Sequence, residues 1–141
     1  MLTSFDTQKT GLSFLLCLSN TLNPSRWGIV CAGKLSSDFT NALSVLDKTE
    51  HSVTAIGARN AGRAKDFAAK FGIENTFGDY DSMAKSDCFG VAYIASVTSN
   101  HVEVAKMFLS AGKHVLIEKP MALTVEGVKE LVALAREKKV R

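Results

Sequence analysis

The residues with the clearest chemical potential are Glu118, Lys119 and Pro120, which follow the short apolar run His114–Ile117. A lysine ammonium ion can donate a hydrogen bond to a substrate hydroxyl, tune a proton relay and stabilise an oxyanion as it forms. In an open α/β sheet, ligands bind in the crevice outside the carboxyl ends of the strands. If the apolar run is such a strand, Lys119 lies at that crevice and is the candidate catalytic residue. A surface lysine in a β-to-α loop is the alternative.

A second candidate site lies in the turn after the first predicted strand. Set against the pattern G-x-G-x-x-G, Cys31 takes the first glycine position, Gly33 the second and Ser36 the third. The second glycine lets the backbone approach a pyrophosphate, which then sits on the N-terminus of the following helix. Cys31 removes the freedom that glycine gives the tight turn. The pattern predicts a phosphate-binding loop formed by Gly28, Cys31, Gly33, Leu35 and Ser36; an ordinary βα turn with one glycine is the alternative.

Arg59 stands at the end of the second predicted strand, and Arg63 follows one helical turn later. An NAD site would have Asp or Glu at this place, about 20 residues after the glycines, to accept from the ribose 2′-hydroxyl. A guanidinium group cannot accept a hydrogen bond, but it pairs well with a phosphate. The sequence therefore favours NADP over NAD, with both arginines in the cofactor site. A solvated surface arginine is the alternative.

Small and hydroxyl-bearing residues follow the fourth predicted strand, where a nicotinamide ribose could pack close to the backbone. Ser96, Asn100 and His101 are the cofactor-binding candidates in this stretch, together with Glu118, Lys119 and Pro120. For His101, a surface position at a helix N-terminus is the alternative. Asn100 is followed three residues later by Glu103, which predicts a capping box at the start of that helix.

The composition indicates one globular domain, with 46% hydrophobic and 22% charged residues in a chain of 141. The net charge of +3 could favour an anionic small ligand, but no block of like charges suggests nucleic acid or a membrane surface. The three cysteines have neither metal-ligand spacing nor the even count of a disulfide framework. We therefore expect no metal site, and reduced thiols in a cytoplasmic protein.

Residues 1–25 differ from the rest of the chain because they mix small polar residues with one apolar run, Gly11–Leu18. A secretory signal would have a basic region before this run and a clear cleavage site after it. We expect instead a loosely ordered extension or a helix lying on the domain.

From residue 26 onwards, strand patterns alternate with helical spacings, which predicts βαβ units. The expected fold is a Rossmann-like, doubly wound, mainly parallel sheet with helices on both faces. The predicted strands lie at Trp27–Cys31, Ser52–Ala58, Asn75–Phe77, Gly90–Ala95 and His114–Ile117.

The ten residues Ala111–Pro120, with the glycine loop and the Ala58-Arg59 pair, resemble the Gfo/Idh/MocA oxidoreductase family. Within it, Arg26–Val30 and Ser36–Phe39 look most like the dimeric dihydrodiol dehydrogenases, also called NADP-dependent D-xylose dehydrogenases. The resemblance covers residues 26–141. The block that ends in Glu-Lys-Pro is its most specific part.

This resemblance implies that residues 26–141 are a cofactor-binding Rossmann domain, with Lys119 beside the nicotinamide and often a cis peptide before Pro120. It implies hydride transfer between NADP and a hydroxyl of a small molecule, a sugar or a trans-dihydrodiol, in an enzyme that is often homodimeric. Set against that family pattern, we expect the second α/β domain, which supplies most substrate contacts in such enzymes, to be absent from this chain. We therefore expect a truncated or alternatively spliced form that is inactive alone; a non-catalytic nucleotide-binding or interaction module is the alternative.

Overall fold

The structure, a computed structural model, describes residues 25–141. The expectations for the apolar run Gly11–Leu18 and the segment around it lie outside the described residues. Within the described part, all the strands join one parallel sheet in the order β3-β2-β1-β4-β5. These strands are β1 Ser25–Val30, β2 His51–Gly57, β3 Asn75–Phe77, β4 Val91–Ile94 and β5 His114–Ile117.

Helices cover both faces of the sheet, because successive residues of a strand point to opposite sides. Ile29, Ile56 and Tyr93 pack with α1 and α2 on one face. Val30, Ala92 and Ile94 pack with α3, α4 and α5 on the other face. The helices are α1 Lys34–Ser44, α2 Ala61–Phe71, α3 Tyr80–Lys85, α4 His101–Ser110 and α5 Val125–Lys138. The predicted doubly wound fold is confirmed.

Side-chain caps fix where three of these helices, α2, α3 and α5, begin. The Asn60 side chain accepts a hydrogen bond from the backbone N–H of Arg63 at 3.1 Å, and Thr124 accepts from Gly127 N at 3.1 Å. Such bonds satisfy N–H groups that have no partner within the helix. Gly72 ends α2 with a φ of 68°, a left-handed conformation that glycine adopts without a Cβ penalty.

The predicted capping box at Asn100 is wrong. Asn100 belongs to a short 3₁₀ turn, Thr98–Asn100, and its φ of −101° and ψ of −4° are not the extended backbone of an N-cap. Its side chain makes no capping hydrogen bond to α4. The preceding 3₁₀ turn, which runs directly into the α-helix, takes the place of a side-chain cap.

Candidate functional site

The loops that carry the candidate residues begin along one edge of the sheet. Val30 is in register with Gly57 of β2 and Ile94 of β4, and Ile94 is in register with Ile117 of β5. Neighbouring strands lie about 4.8 Å apart, so the ends of β1 and β5 are about 10 Å apart. The glycine turn and the Glu-Lys-Pro tripeptide therefore open onto the same crevice. This crevice lies where strand order reverses between β1 and β4, the usual ligand site of such sheets.

Cys31 forms the tight turn of the glycine loop despite its side chain. Its φ is 89°, in the left-handed region that favours glycine. Its N–H donates to Gly57 O at 2.9 Å, and its carbonyl accepts from the Ser36 hydroxyl at 2.5 Å. A cysteine was expected to restrict this turn. The loop nevertheless keeps the conformation of a glycine turn, because hydrogen bonds on both sides hold the Cys31 backbone.

The N-terminus of α1 is open to a ligand. Gly33 occupies the N-cap position without a capping side chain, and the first turn contains no acidic residue. The first helical hydrogen bond runs from Ser37 N to Gly33 O at 3.1 Å, so the N–H groups of Lys34, Leu35 and Ser36 have no intrahelical partner. A Cβ built on Gly33 would meet only the Cys31 sulfur, at 3.9 Å. This cradle fits a pyrophosphate.

The structure does not bring Gly28 to the crevice. This glycine lies inside β1, and a Cβ there would come within 2.6 Å of the Phe89 ring. Close packing inside the core accounts for a glycine at this position.

The two arginines flank the glycine loop. Arg63 reaches back from α2 and donates through Nη2 to Ala32 O at 2.9 Å. Arg59 is exposed at the carboxyl end of β2, directly before the helix cap Asn60. The two guanidinium groups thus give the crevice a positive end beside the turn.

Tyr80, at the start of α3, was missed by sequence reasoning. Burial is the main cause that raises the pKa of its hydroxyl to about 12; the Cys31 thiol raises it too, whereas the Arg59 and Arg63 guanidinium groups lower it. The hydroxyl therefore lies near the same loop and the same two arginines. Its place after β3, the neighbour of β2, is the only sequence signal that could have found it.

His101 connects two loops of the crevice. Its side chain is buried, with Nδ1 at 2.9 Å from Pro120 O and Nε2 at 2.9 Å from Ser96 O. A surface position, the alternative for this residue, is therefore wrong. The Ser96 hydroxyl is buried without a hydrogen-bond partner among residues 25–141, which leaves a polar group for a ligand in this crevice. Asn100 is only half-exposed in the preceding turn.

Glu118 is held in place while Lys119 is exposed. The Glu118 carboxylate accepts from the Tyr93 hydroxyl at 2.5 Å and from the Lys119 N–H at 3.3 Å. Burial, and then the bond to Glu118, raises the pKa of Tyr93. The Lys119–Pro120 peptide is cis, as the resemblance implied. The lysine side chain therefore extends from a backbone fixed by its neighbours.

A parallel sheet with a switch point, an open helix N-terminus and a lysine at the same crevice are the features of a dinucleotide-binding Rossmann domain. The family described as "Oxidoreductase family, NAD-binding Rossmann fold", Gfo/Idh/MocA, matches residues 25–141. The chain belongs to this family.

Two mammalian dehydrogenases are similar to this domain over about four fifths of the chain. Mouse trans-1,2-dihydrobenzene-1,2-diol dehydrogenase is 46% identical over 115 residues, which are 82% of this chain and 34% of the relative. The human enzyme of that name is 44% identical over 113 residues, 80% of this chain and 34% of the relative. The chain thus spans about a third of the length of these relatives.

Among solved structures, KijD10, a 3-ketoreductase from Actinomadura kijaniata in complex with NADP and TDP-benzene, is similar with a TM-score of 0.78 and 32% identity. The similarity covers 84% of this chain and 36% of that one. Apo scyllo-inositol dehydrogenase from Lactobacillus casei, at 23% identity and a TM-score of 0.75, shares the fold.

Two absences hold for residues 25–141, the part of the chain that the structure describes. None of the helices there combines the length and apolar character needed to cross a bilayer. Nor do His, Cys, Asp and Glu side chains in this part gather in threes that could hold a metal ion.

Proposed function

We propose that this chain is the NADP-binding domain of an oxidoreductase whose complete form transfers hydride between NADP and a hydroxyl-bearing carbon of a sugar or trans-dihydrodiol. The observation that carries the choice of NADP is the position of Arg63, 2.9 Å from Ala32 O in the glycine loop, with Arg59 exposed beside it. No acidic side chain stands at the end of β2 to accept from a ribose 2′-hydroxyl.

The binding roles follow from the groups present. The N–H groups at the start of α1 would hold the pyrophosphate, and Gly33 would let the backbone approach it. Arg59, assisted by Arg63, would bind the 2′-phosphate through charge-assisted hydrogen bonds. The Ser96 hydroxyl, which has no partner in the described part of the chain, would contact the nicotinamide half.

Lys119 is the proposed catalytic residue. When bound, NADP supplies the ring that accepts or donates hydride. The Lys119 ammonium ion, next to that ring, would donate a hydrogen bond to the reacting substrate oxygen and stabilise negative charge as it develops. Glu118, Pro120 and His101 would position the lysine by fixing the loop that carries it.

The substrate and the setting are proposed for the whole protein. The named relatives at 46% and 44% identity are dihydrodiol dehydrogenases, which supports a trans-dihydrodiol or sugar substrate. The free thiols Cys31 and Cys88 support a cytoplasmic setting, and a homodimer is proposed from the family resemblance. Orientation contributes about 7–11 kcal/mol to a reaction barrier, so the domain alone should turn over poorly.

The test is a titration of NADPH and NADH followed by nicotinamide fluorescence. The Arg59→Ala variant should weaken NADPH binding about 10–100-fold, the loss expected for hydrogen bonds to a charged group, and NADH binding much less. Arg26→Ala is the matched control, because Arg26 is exposed at the opposite end of the sheet. Equal losses for both cofactors would contradict the 2′-phosphate assignment, and absence of saturation with either would contradict the function.

A further inference from the structure

Lys34 carries a positive charge at the end of a helix where such a charge is least favourable. It is the first residue of α1, directly after the N-cap Gly33. The N-terminus of a helix carries a partial positive charge, because its first N–H groups have no partner within the helix. Negative side chains are preferred there, and cations are preferred at the opposite end. The charge of Lys34 therefore does not stabilise the helix on which it lies.

The ion pair of Lys34 has the less favourable order. Its Nζ lies 3.2 Å and 3.3 Å from the two carboxylate oxygens of Asp38, one turn further along α1. A pair at this spacing stabilises a helix more when the acidic residue comes first, because each charge then lies nearer the helix end of opposite sign. The two side chains are 88% and 56% exposed, so the pair contributes little to stability and opens readily.

Within residues 25–141, one other ion pair joins side chains four positions apart, and its order is reversed. In α3, Asp81 lies in the first turn and Lys85 in the last, with Nζ and Oδ2 2.5 Å apart. The next residue, Ser86, accepts a hydrogen bond from Lys113, which directly precedes β5. Lys85 therefore lies at the end of the sheet away from the crevice. This pair is a matched reference for the pair in α1.

Lys34 is the side chain in the first turn of α1 that can donate to a ligand. The hydroxyl groups of Ser36 and Ser37 already donate to carbonyl oxygens of the glycine turn. The Cα–Cβ bonds of a helix tilt towards its N-terminus, so the stem of Lys34 starts towards the crevice. The flexible four-carbon stem lets the ammonium ion leave its ion pair and reach the space beyond Gly33. An anion in that space would be its natural partner, since lysine binds phosphate groups well.

We propose that Lys34 is a further cofactor-binding residue, whose ammonium ion leaves Asp38 and binds the pyrophosphate of NADP at the N-terminus of α1. This proposal rests on the proposed function, and it gives the pyrophosphate a side-chain partner in addition to the N–H groups of the helix. The phosphate charge also compensates the positive helix end that disfavours a lysine. Asp38 holds Lys34 in the free protein and competes with the cofactor for it.

The first test compares Lys34→Met with Lys85→Met in fluorescence titrations of the full chain. Methionine keeps the length of the side chain and removes its charge. We expect Lys34→Met to weaken the binding of NADPH and of NADH about tenfold each, as for a lost hydrogen bond between charged groups. The losses should be equal because both cofactors contain the pyrophosphate, whereas Arg59→Ala should affect mainly NADPH. Lys85→Met should leave both affinities unchanged.

Two further measurements separate the charge of Lys34 from a structural role. Added KCl should narrow the difference in affinity between the unaltered chain and Lys34→Met, because salt screens contacts between exposed charges. Without cofactor, Lys34→Met should not lower the urea midpoint, because it removes a cation from the positive end of α1. A lower midpoint, with a loss of affinity that is the same at all salt concentrations, would overturn the proposal.

Asp38→Asn tests the competition for Lys34. Without the carboxylate, Lys34 should bind the pyrophosphate more readily, and both cofactors should bind about 2–5-fold more tightly. This gain should disappear when Asp38→Asn is made in Lys34→Met, because the two side chains act on binding through each other. An equal gain in both backgrounds, or unchanged affinity in Lys34→Met, would overturn this proposal and leave the proposed function intact. Absence of saturation in the unaltered chain would overturn both.

Discussion

The hydroxyl of Tyr93 donates a hydrogen bond to Oε1 of Glu118 at 2.5 Å, which links β4 to the residue that directly follows β5. The Tyr93 ring is itself stacked on Phe39 of α1, with ring centroids 3.8 Å apart and planes 11° apart. The Glu118 carboxylate, one residue before Lys119, is therefore linked directly to β4 and, through the Tyr93 ring, to α1. The position of the lysine backbone depends on a contact from the middle of the sheet.

We expect Tyr93→Phe to lower the free energy of unfolding by about 2 kcal/mol, the range found for hydrogen bonds to charged groups. The ring and its stacking on Phe39 are kept, so the change isolates the hydroxyl. Urea denaturation of this variant, of Glu118→Gln and of the double variant measures the coupling between the two side chains. Purely additive effects would contradict a direct hydrogen bond in solution.

The two tyrosines of the chain should titrate above pH 10. Burial raises the pKa of Tyr80 from 10.0 to about 12, and it raises the pKa of Tyr93 as well. Because the folded state favours the neutral phenols, their contribution to stability is fully present below pH 10 and is lost as the pH rises through the folded pKa values.

Absorbance at 295 nm follows this titration directly. The native chain should show little tyrosinate near pH 10, and Tyr93→Phe should retain the Tyr80 step near pH 12. In urea both phenols should ionise near pH 10, their ordinary value. A native titration that coincides with the one in urea would contradict the burial of both hydroxyl groups.

Features of this domain that depend on residues close together in the chain could be predicted from the sequence. The predicted bounds of β3 and β5 are those of the structure, because strand propensity and the flanking turn residues are local features of the sequence. Parallel connectivity then placed the Gly33 turn and Lys119 at one edge of the sheet without further information.

Contacts between residues distant in the chain could not be predicted in this way. Tyr93 and Glu118 are 25 positions apart, and the two carbonyls around His101 come from different loops. Asn100 and Glu103 nearly match a capping box, but a 3₁₀ turn leads into α4 and no such box forms. Only the packed sheet determines which of these groups meet.

Lys113 is a buried residue whose role the sequence did not reveal. It is 8% exposed, and its Nζ donates to Ser86 O at 2.6 Å and to Phe89 O at 3.1 Å. Lys113→Met keeps the length of the side chain but leaves both carbonyls without this donor. We expect a loss of about 2 kcal/mol in chemical denaturation, the cost of leaving buried acceptors unsatisfied.

The same substitution at Lys106 is the control for Lys113. Lys106 forms a more exposed ion pair with Glu130, with Nζ and Oε1 2.8 Å apart. Such surface pairs contribute about 0–1 kcal/mol, so Lys106→Met should change stability little. A similar loss in both variants would show that the buried carbonyls near Lys113 are not the cause.

Cys31 stores backbone strain in the glycine loop, because a residue with a side chain rarely adopts a φ of 89°. Such conformations cost about 1–3 kcal/mol and persist where the surroundings impose them. Here the Ser36 hydroxyl and Gly57 carbonyl bind the two backbone groups of Cys31. Glycine at this position would remove the strain, although it would also gain freedom in the unfolded chain.

Comparing Cys31→Gly with Cys31→Ala isolates this backbone effect, since both variants lose the thiol and only alanine keeps the Cβ. We expect Cys31→Gly to be more stable than Cys31→Ala by about 1 kcal/mol, measured as the difference in urea midpoint at equal slope. Equal stability of the two variants would mean that the turn relaxes in solution. In that case a cysteine at the first glycine position would impose no conformational cost on the proposed phosphate-binding loop.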